Sequence, residues 1–152
     1  MDTNARLSLA LLGSFAVTLD GQPVTTFESI KVRALLAYLA VEVGRSHARA
    51  FLAELLWPDL PAATALTYLR HVLAKLKEAI PDAVAGGAPG AGGGRASGSL
   101  LLVTRETVAL NPGADYSLDV AAFTALLETC ASHPHRRAET CAACARRRAA
   151  AI

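Results

Sequence analysis

Residues 61 to 80, PAATALTYLRHVLAKLKEAI, constrain the fold of this chain more than any other stretch. Leu66, Leu69, Val72, Leu73, Leu76 and Ile80 recur every three or four positions, the period of one helix face turned toward a core. The opposite face carries Thr64, Thr67, His71, Ala74, Lys75 and Glu78, with Tyr68, Arg70 and Lys77 on the flanks. Asp59 is placed to cap the start, Pro61 suits a first turn, and Pro81 stops the helix after Ile80. At about 1.5 Å per residue such a helix spans roughly 30 Å. Its length and chemistry fit a DNA major groove, where small polar side chains reach base edges and Arg, Lys and His reach phosphates. A solvated face of mixed charge accounts for the same residues, and the helix alone does not separate the two readings.

The remaining residues must cover the apolar stripe. With 152 residues, the chain holds one ordinary domain, or a small domain and part of a second. The 53% apolar content suffices for a core, and the abundance of Ala and Leu over aromatics implies a helix-rich fold with a minority of strands. A net charge of +2 does not by itself call for a polyanionic partner. Charge balances over residues 1 to 82, whereas Arg136, Arg137, Arg146, Arg147 and Arg148 crowd the end. Arg6 is followed by strand-like residues broken at Gly13 and Ser14, not by the apolar run of an export signal. No apolar run reaches transmembrane length. The expectation is a cytoplasmic protein with no membrane partner.

Three short runs open the chain: Leu7 to Leu12, Phe15 to Leu19 and Pro23 to Phe27. Gly13-Ser14 and Asp20-Gly21-Gln22 separate them, and Asp-Gly is a strong hairpin signal, so a small antiparallel sheet is expected. From Ser29, a plausible N-cap, the period becomes helical through Ile30, Ala34, Leu35, Tyr38, Leu39 and Val43, ending at Gly44. A second helix, capped by Ser46, is expected from about His47 to Leu56, packing Ala48, Phe51, Leu52 and Leu55. Trp57-Pro58-Asp59 breaks the chain before the long helix, with Trp57 expected as a core plug between helices. Residues 83 to 99, AVAGGAPGAGGGRASGS, have no periodicity and read as a flexible loop. Leu100 to Thr104 and Thr107 to Leu110 then form a tight hairpin around Arg105-Glu106, closed by Asn111-Pro112-Gly113. Thr104, Arg105 and Thr107 lie near its tip, where an exposed turn is the plain alternative to a ligand contact.

The fold class that follows is α+β: a winged helix-turn-helix with a small N-terminal antiparallel sheet, three helices and a C-terminal hairpin wing. LALLGSFAVTLDGQPV, KVRALLAYLAVEVG, FLAELLWPD, ALTYLRHVLAKLK and LLVTRETVALNP, in that order, cover most of residues 7 to 112. In these segments the sequence resembles the OmpR/PhoB-like winged-helix domain of AfsR/SARP-type bacterial transcriptional activators. The resemblance implies a DNA-binding domain over residues 1–113, followed from residue 114 by the beginning of a helical, tetratricopeptide-like bacterial transcriptional activation domain. SLDVAAFTALLE looks like the first helix of that domain, and the chain reads as an N-terminal fragment of a larger regulator. The Gly-rich stretch is longer than the usual connection in such domains.

On this reading Thr64, Thr67 and His71 face bases, with Tyr68 beside them. Arg70, Lys75 and Lys77 hold phosphates, and Thr104, Arg105 and Thr107 bring the wing to the backbone or minor groove. The implied partners are duplex DNA, RNA polymerase and a second copy on repeated half-sites; DNA binding calls for no cofactor. A protein-contact module and a zinc-dependent sensor are the alternatives. No nucleophile elbow or phosphate-binding loop is present, since the glycines of residues 86 to 98 lack the Lys-Ser/Thr ending, and no enzyme activity is expected.

The tail supports the zinc alternative. Cys130, His133, His135, Cys141 and Cys144 lie within fifteen positions, spaced C-x2-H-x-H-x5-C-x2-C. Three cysteines so grouped do not make a disulfide framework, but these are zinc-type ligands at nearly zinc-type spacing. A small buried thiol and solvated histidines are the plain alternative. If Cys130, Cys141, Cys144 and one of His133 or His135 form a structural site, protein purified without chelator will carry about one equivalent of zinc. Metal-free protein with unchanged melting would remove the site.

Overall fold

The structure is a computed structural model that describes residues 7–27, 29–80 and 99–132, together with Arg146 and Ala149. The Gly-rich stretch up to Gly98 and the tail positions His133, His135, Cys141 and Cys144 lie outside the described residues.

Strands β1 (Leu7–Ala10), β2 (Ala16–Leu19) and β3 (Gln22–Pro23) form an antiparallel meander. The expected Asp-Gly turn is present: Asp20 and Gly21 both take positive φ, at 49° and 78°, and Leu19 pairs with Gln22. A two-residue turn with both residues left-handed follows the twist of the strands it joins. The sheet is not purely antiparallel, as expected from sequence, because a fourth strand lies parallel to β1 on its other side, as described below.

Helix α1 (Ile30–Val41) follows Ser29, which is extended at the N-cap position but makes no side-chain cap bond. Gly44, at φ 80°, supplies the left-handed residue after the helix end. Val32, Leu35, Leu36, Leu39 and Ala40 are its buried residues. Ile30, expected inside, is 77% exposed. Apolar residues occur around much of α1, so periodicity did not single out its buried face.

The second helix starts later than expected. His47 and Ala48 form a two-residue strand, β4, and α2 runs from Arg49 to Leu56 with Ala48 at the N-cap. Ser46 therefore does not cap it. Leu52, Ala53 and Leu56 face the core, whereas Phe51 and Leu55 remain 47% and 48% exposed. Trp57 is half-buried at the rim of the core, its ring 5.8 Å from that of Tyr68 and beneath Lys31 Nζ. It packs between helices from the edge and is not the buried plug expected.

Helix α3 (Ala62–Ala79) buries Ala65, Leu69, Val72, Leu73 and Leu76 against α2 and α1, with Leu66 half-buried. Pro61, not Asp59, occupies its N-cap, and the Pro61 carbonyl accepts from Ala65 N–H. Strands β5 (Leu101–Val103) and β6 (Thr107–Leu110) form the expected hairpin, and β4 pairs with the far edge of β6. After it, the Asn111 side chain accepts from Gly113 N–H while its amide donates to Ser99 O, so Asn111-Pro112-Gly113 closes the hairpin as a turn.

Strand β7 (Tyr116–Leu118) then pairs in parallel with β1, and α4 (Asp119–Ser132) packs on both. The expected helix from Ser117 thus begins as strand and turns helical at Asp119. The buried Asp119 carboxylate accepts from Leu11 N–H at 2.8 and 2.9 Å, from Leu12 N–H at 2.8 Å and from Val120 N–H at 2.8 Å. It satisfies amides beyond the end of β1 and one in the first turn of α4, where a negative charge is also favoured. Asp119→Ala is expected to cost about 2–4 kcal/mol in chemical denaturation, as charge-assisted bonds to partly buried amides are lost. A variant within about 0.5 kcal/mol of the parent would show that water replaces the carboxylate.

Candidate nucleic-acid interface

Burial of the stripe on α3 leaves Thr64, Thr67, Tyr68, Arg70, His71, Lys75 and Lys77 all exposed on the other side, along about 20 Å of helix. No acidic residue occupies the first turn. Glu78 is exposed near the end and opposes the cationic character there. Thr67 donates its hydroxyl to Ala63 O at 3.0 Å, which leaves the oxygen free to act as an acceptor. Tyr68 leans on Trp57 at the flank, so part of its ring is committed to the fold. Lys77 lies in the last turn, where a cation also complements the helix dipole.

The hairpin tip is a compact turn. Thr104 N–H donates to Thr107 O at 2.9 Å, and the Thr104 hydroxyl accepts from Thr107 N–H at 2.9 Å and Glu106 N–H at 3.2 Å. The Thr104 and Thr107 hydroxyls also share a 2.9 Å bond. Both threonines therefore have internal work in the turn, and Arg105 is the exposed cation at the tip.

Helix α2 links the two elements that carry these groups. Helices α2 and α3 pack on each other, and the first residue of α2 reaches the hairpin: Arg49 N–H donates to Glu106 O at 2.8 Å. The Arg49 guanidinium approaches Arg105 O at 3.5 Å. Sequence reasoning assigned Arg49 no role, because one basic residue at the start of a short helix carries no pattern. It likewise missed His47, buried in β4 against Tyr38 and Phe51 with ring centroids at 5.1 and 6.3 Å.

Cys130 is buried on α4, which packs on β1 and β7 and so belongs to the sheet side of the fold. Among the described residues no group of three or more His, Cys, Asp or Glu is arranged to hold a metal. A groove of about 300 Å³ between α1 and α2 is walled by Ile30, Ala34, Tyr38, Leu52, Leu55 and their neighbours, with Lys31 its one charged residue. Lys31 Nζ donates to Leu56 O at 2.5 Å, and the groove presents no nucleophile with an adjacent base. Among the described residues no helix is long and apolar enough to cross a membrane.

No family model matches the chain, and no curated protein matches it either. Among solved structures, the chain is similar to Mycobacterium tuberculosis EmbR in complex with a low-affinity phosphopeptide. The TM-score is 0.53 and the identity 25%, over 84% of this chain and 32% of that one. This chain thus spans about a third of the length of EmbR, a SARP-family regulator. The likeness supports a winged-helix domain of the OmpR/SARP-like type at the level of the fold.

Proposed function

We propose that this chain is the DNA-binding part of a bacterial transcriptional activator, with α3 in the major groove and the β5–β6 hairpin as the wing on the backbone or minor groove. The observation that carries the reading is the free face of α3. Leu69, Val72, Leu73 and Leu76 of the apolar stripe are spent on the core, and the opposite side keeps short polar and basic side chains from Thr64 to Lys77. The likeness in fold to EmbR supports the same reading. Thr67, whose hydroxyl proton is engaged by its own helix, suits a donor on a base edge, such as cytosine N4 or adenine N6. Thr64 and His71 lie beside it on the same face, Arg70, Lys75 and Lys77 suit phosphates, and Arg105 adds a contact from the wing. RNA polymerase and a second copy on repeated half-sites are the further partners of such a regulator.

Selection of bound sites from random duplex DNA tests the proposal directly, and recovery of no preferred sequence would count against it. Two kinds of contact are then expected to behave differently. Lys75→Ala or Lys77→Ala will weaken binding to all duplexes about equally and flatten the salt dependence by roughly one unit for each phosphate lost. Thr67→Ala or His71→Ala will cost on the order of 1–3 kcal/mol on the selected site and little on random DNA. Lys variants with unchanged affinity and salt slope would mean that α3 does not lie in a groove.

A further inference from the structure

We infer that Arg49 is a positioning residue that fixes the turn carrying Arg105 to the helical part of the domain; the DNA consequence rests on the function proposed above. A two-stranded hairpin is marginally stable by itself, and its tip, at Arg105-Glu106, is its least restrained part. Here the tip is held at two successive carbonyls by one residue. Arg49 N–H takes Glu106 O at 2.8 Å, and the Arg49 guanidinium approaches Arg105 O at 3.5 Å through Nη1. Arg49 Nε is buried with no acceptor among the described residues. An unsatisfied buried donor is costly and does not itself hold the side chain, so the restraint on the tip comes from the contacts to the two carbonyls. The same residue opens α2, and α2 packs directly on α3. A path of two contacts therefore runs from Arg105 to Arg49, the first residue of α2, and from α2 to the buried side of α3. A cation on a loose turn loses most of its attraction to a phosphate in the entropy of being placed, whereas one on a fixed turn does not.

The side chain can be removed without touching the backbone bond, which makes Arg49→Gln in the full chain the decisive variant. Hydrogen exchange at Glu106 and Thr107 amides, both bonded to the Thr104 hydroxyl, reports on the turn without DNA. Exchange there is expected to speed by about tenfold while the amides of α3 keep their protection. On DNA, Arg49→Gln is expected to lower affinity roughly three- to tenfold and to reduce the salt slope by about one unit, as Arg105→Ala does. The double variant is expected to bind no worse than either single one, because both remove the same contact. Unchanged exchange at Glu106 and Thr107 would overturn the inference. Losses that multiply in the double variant would overturn it too, since Arg49 would then act on DNA independently. If Lys75→Ala and Arg105→Ala leave DNA binding untouched in the otherwise native chain, the proposed function falls, and the exchange measurement still decides whether Arg49 holds the turn.

Discussion

Which face of α3 is free for a ligand is decided by the burial of Leu69, Val72, Leu73 and Leu76 against α2 and α1. Each fully buried side chain of this size contributes roughly 1.5–3 kcal/mol, whereas an exposed ion pair on the same helix contributes about 1 kcal/mol or less. The rotation of the helix is therefore fixed by its apolar side. Turning it by one residue would bring Leu69 or Leu73 toward water and Lys75 toward the core, a loss that no surface contact offsets. The polar side is in consequence free of structural duty over most of its length. Its composition can serve recognition without weakening the fold.

The hairpin obtains its place differently. Its strands are three and four residues long, too short to stand alone. Leu101, Val108 and Leu110 anchor it in the core that α3 also enters, and β4 adds a third strand at the edge of β6. Because β4 leads without a break into α2, the edge strand and the helix supporting α3 are one continuous piece of chain. This continuity ties the hairpin to the helix that packs on α3.

The local parts of this fold were legible in the sequence, and the parts that depend on distant partners were not. The α3 stripe, the Asp20-Gly21 hairpin and the turn at Arg105-Glu106 each carry their signal within a few residues, by period or by turn chemistry. The strands β4 and β7 have two and three residues, which is less than one useful period, and each exists only because β6 or β1 offers it an edge. For α1 and α2 the residue types were right for helix but the buried faces were misjudged at Ile30, Phe51 and Leu55. Apolar side chains occur on more than one side of both helices, and period fails where contrast is lacking. At the candidate interface, the exposed positions of α3 followed from the stripe by exclusion. Arg49 did not, because its partners are two carbonyl groups 56 and 57 positions away, and a carbonyl leaves no mark in a sequence.

Asp119 shows how unevenly such distant information is distributed through the domain. Its carboxylate closes a separation of 108 positions to complete the end of β1, next to the parallel pairing of β1 with β7. Ordering so long a span costs more chain entropy than joining α2 to α3 across a five-residue break, although only by a slowly growing amount. A carboxylate with several bonded amides is strong enough to offset that difference, which a single neutral hydrogen bond would not be. The sheet side thus adds this strong polar contact across the chain to its apolar burial through Leu7, Leu9 and Val17, whereas the packing of α3 on α2 relies on many weak apolar contacts between neighbours. The face of α3 is built from the second kind, and its buried stripe shares one core with Leu7, Leu9 and Leu118 of the sheet, so both kinds of contact hold the same body together.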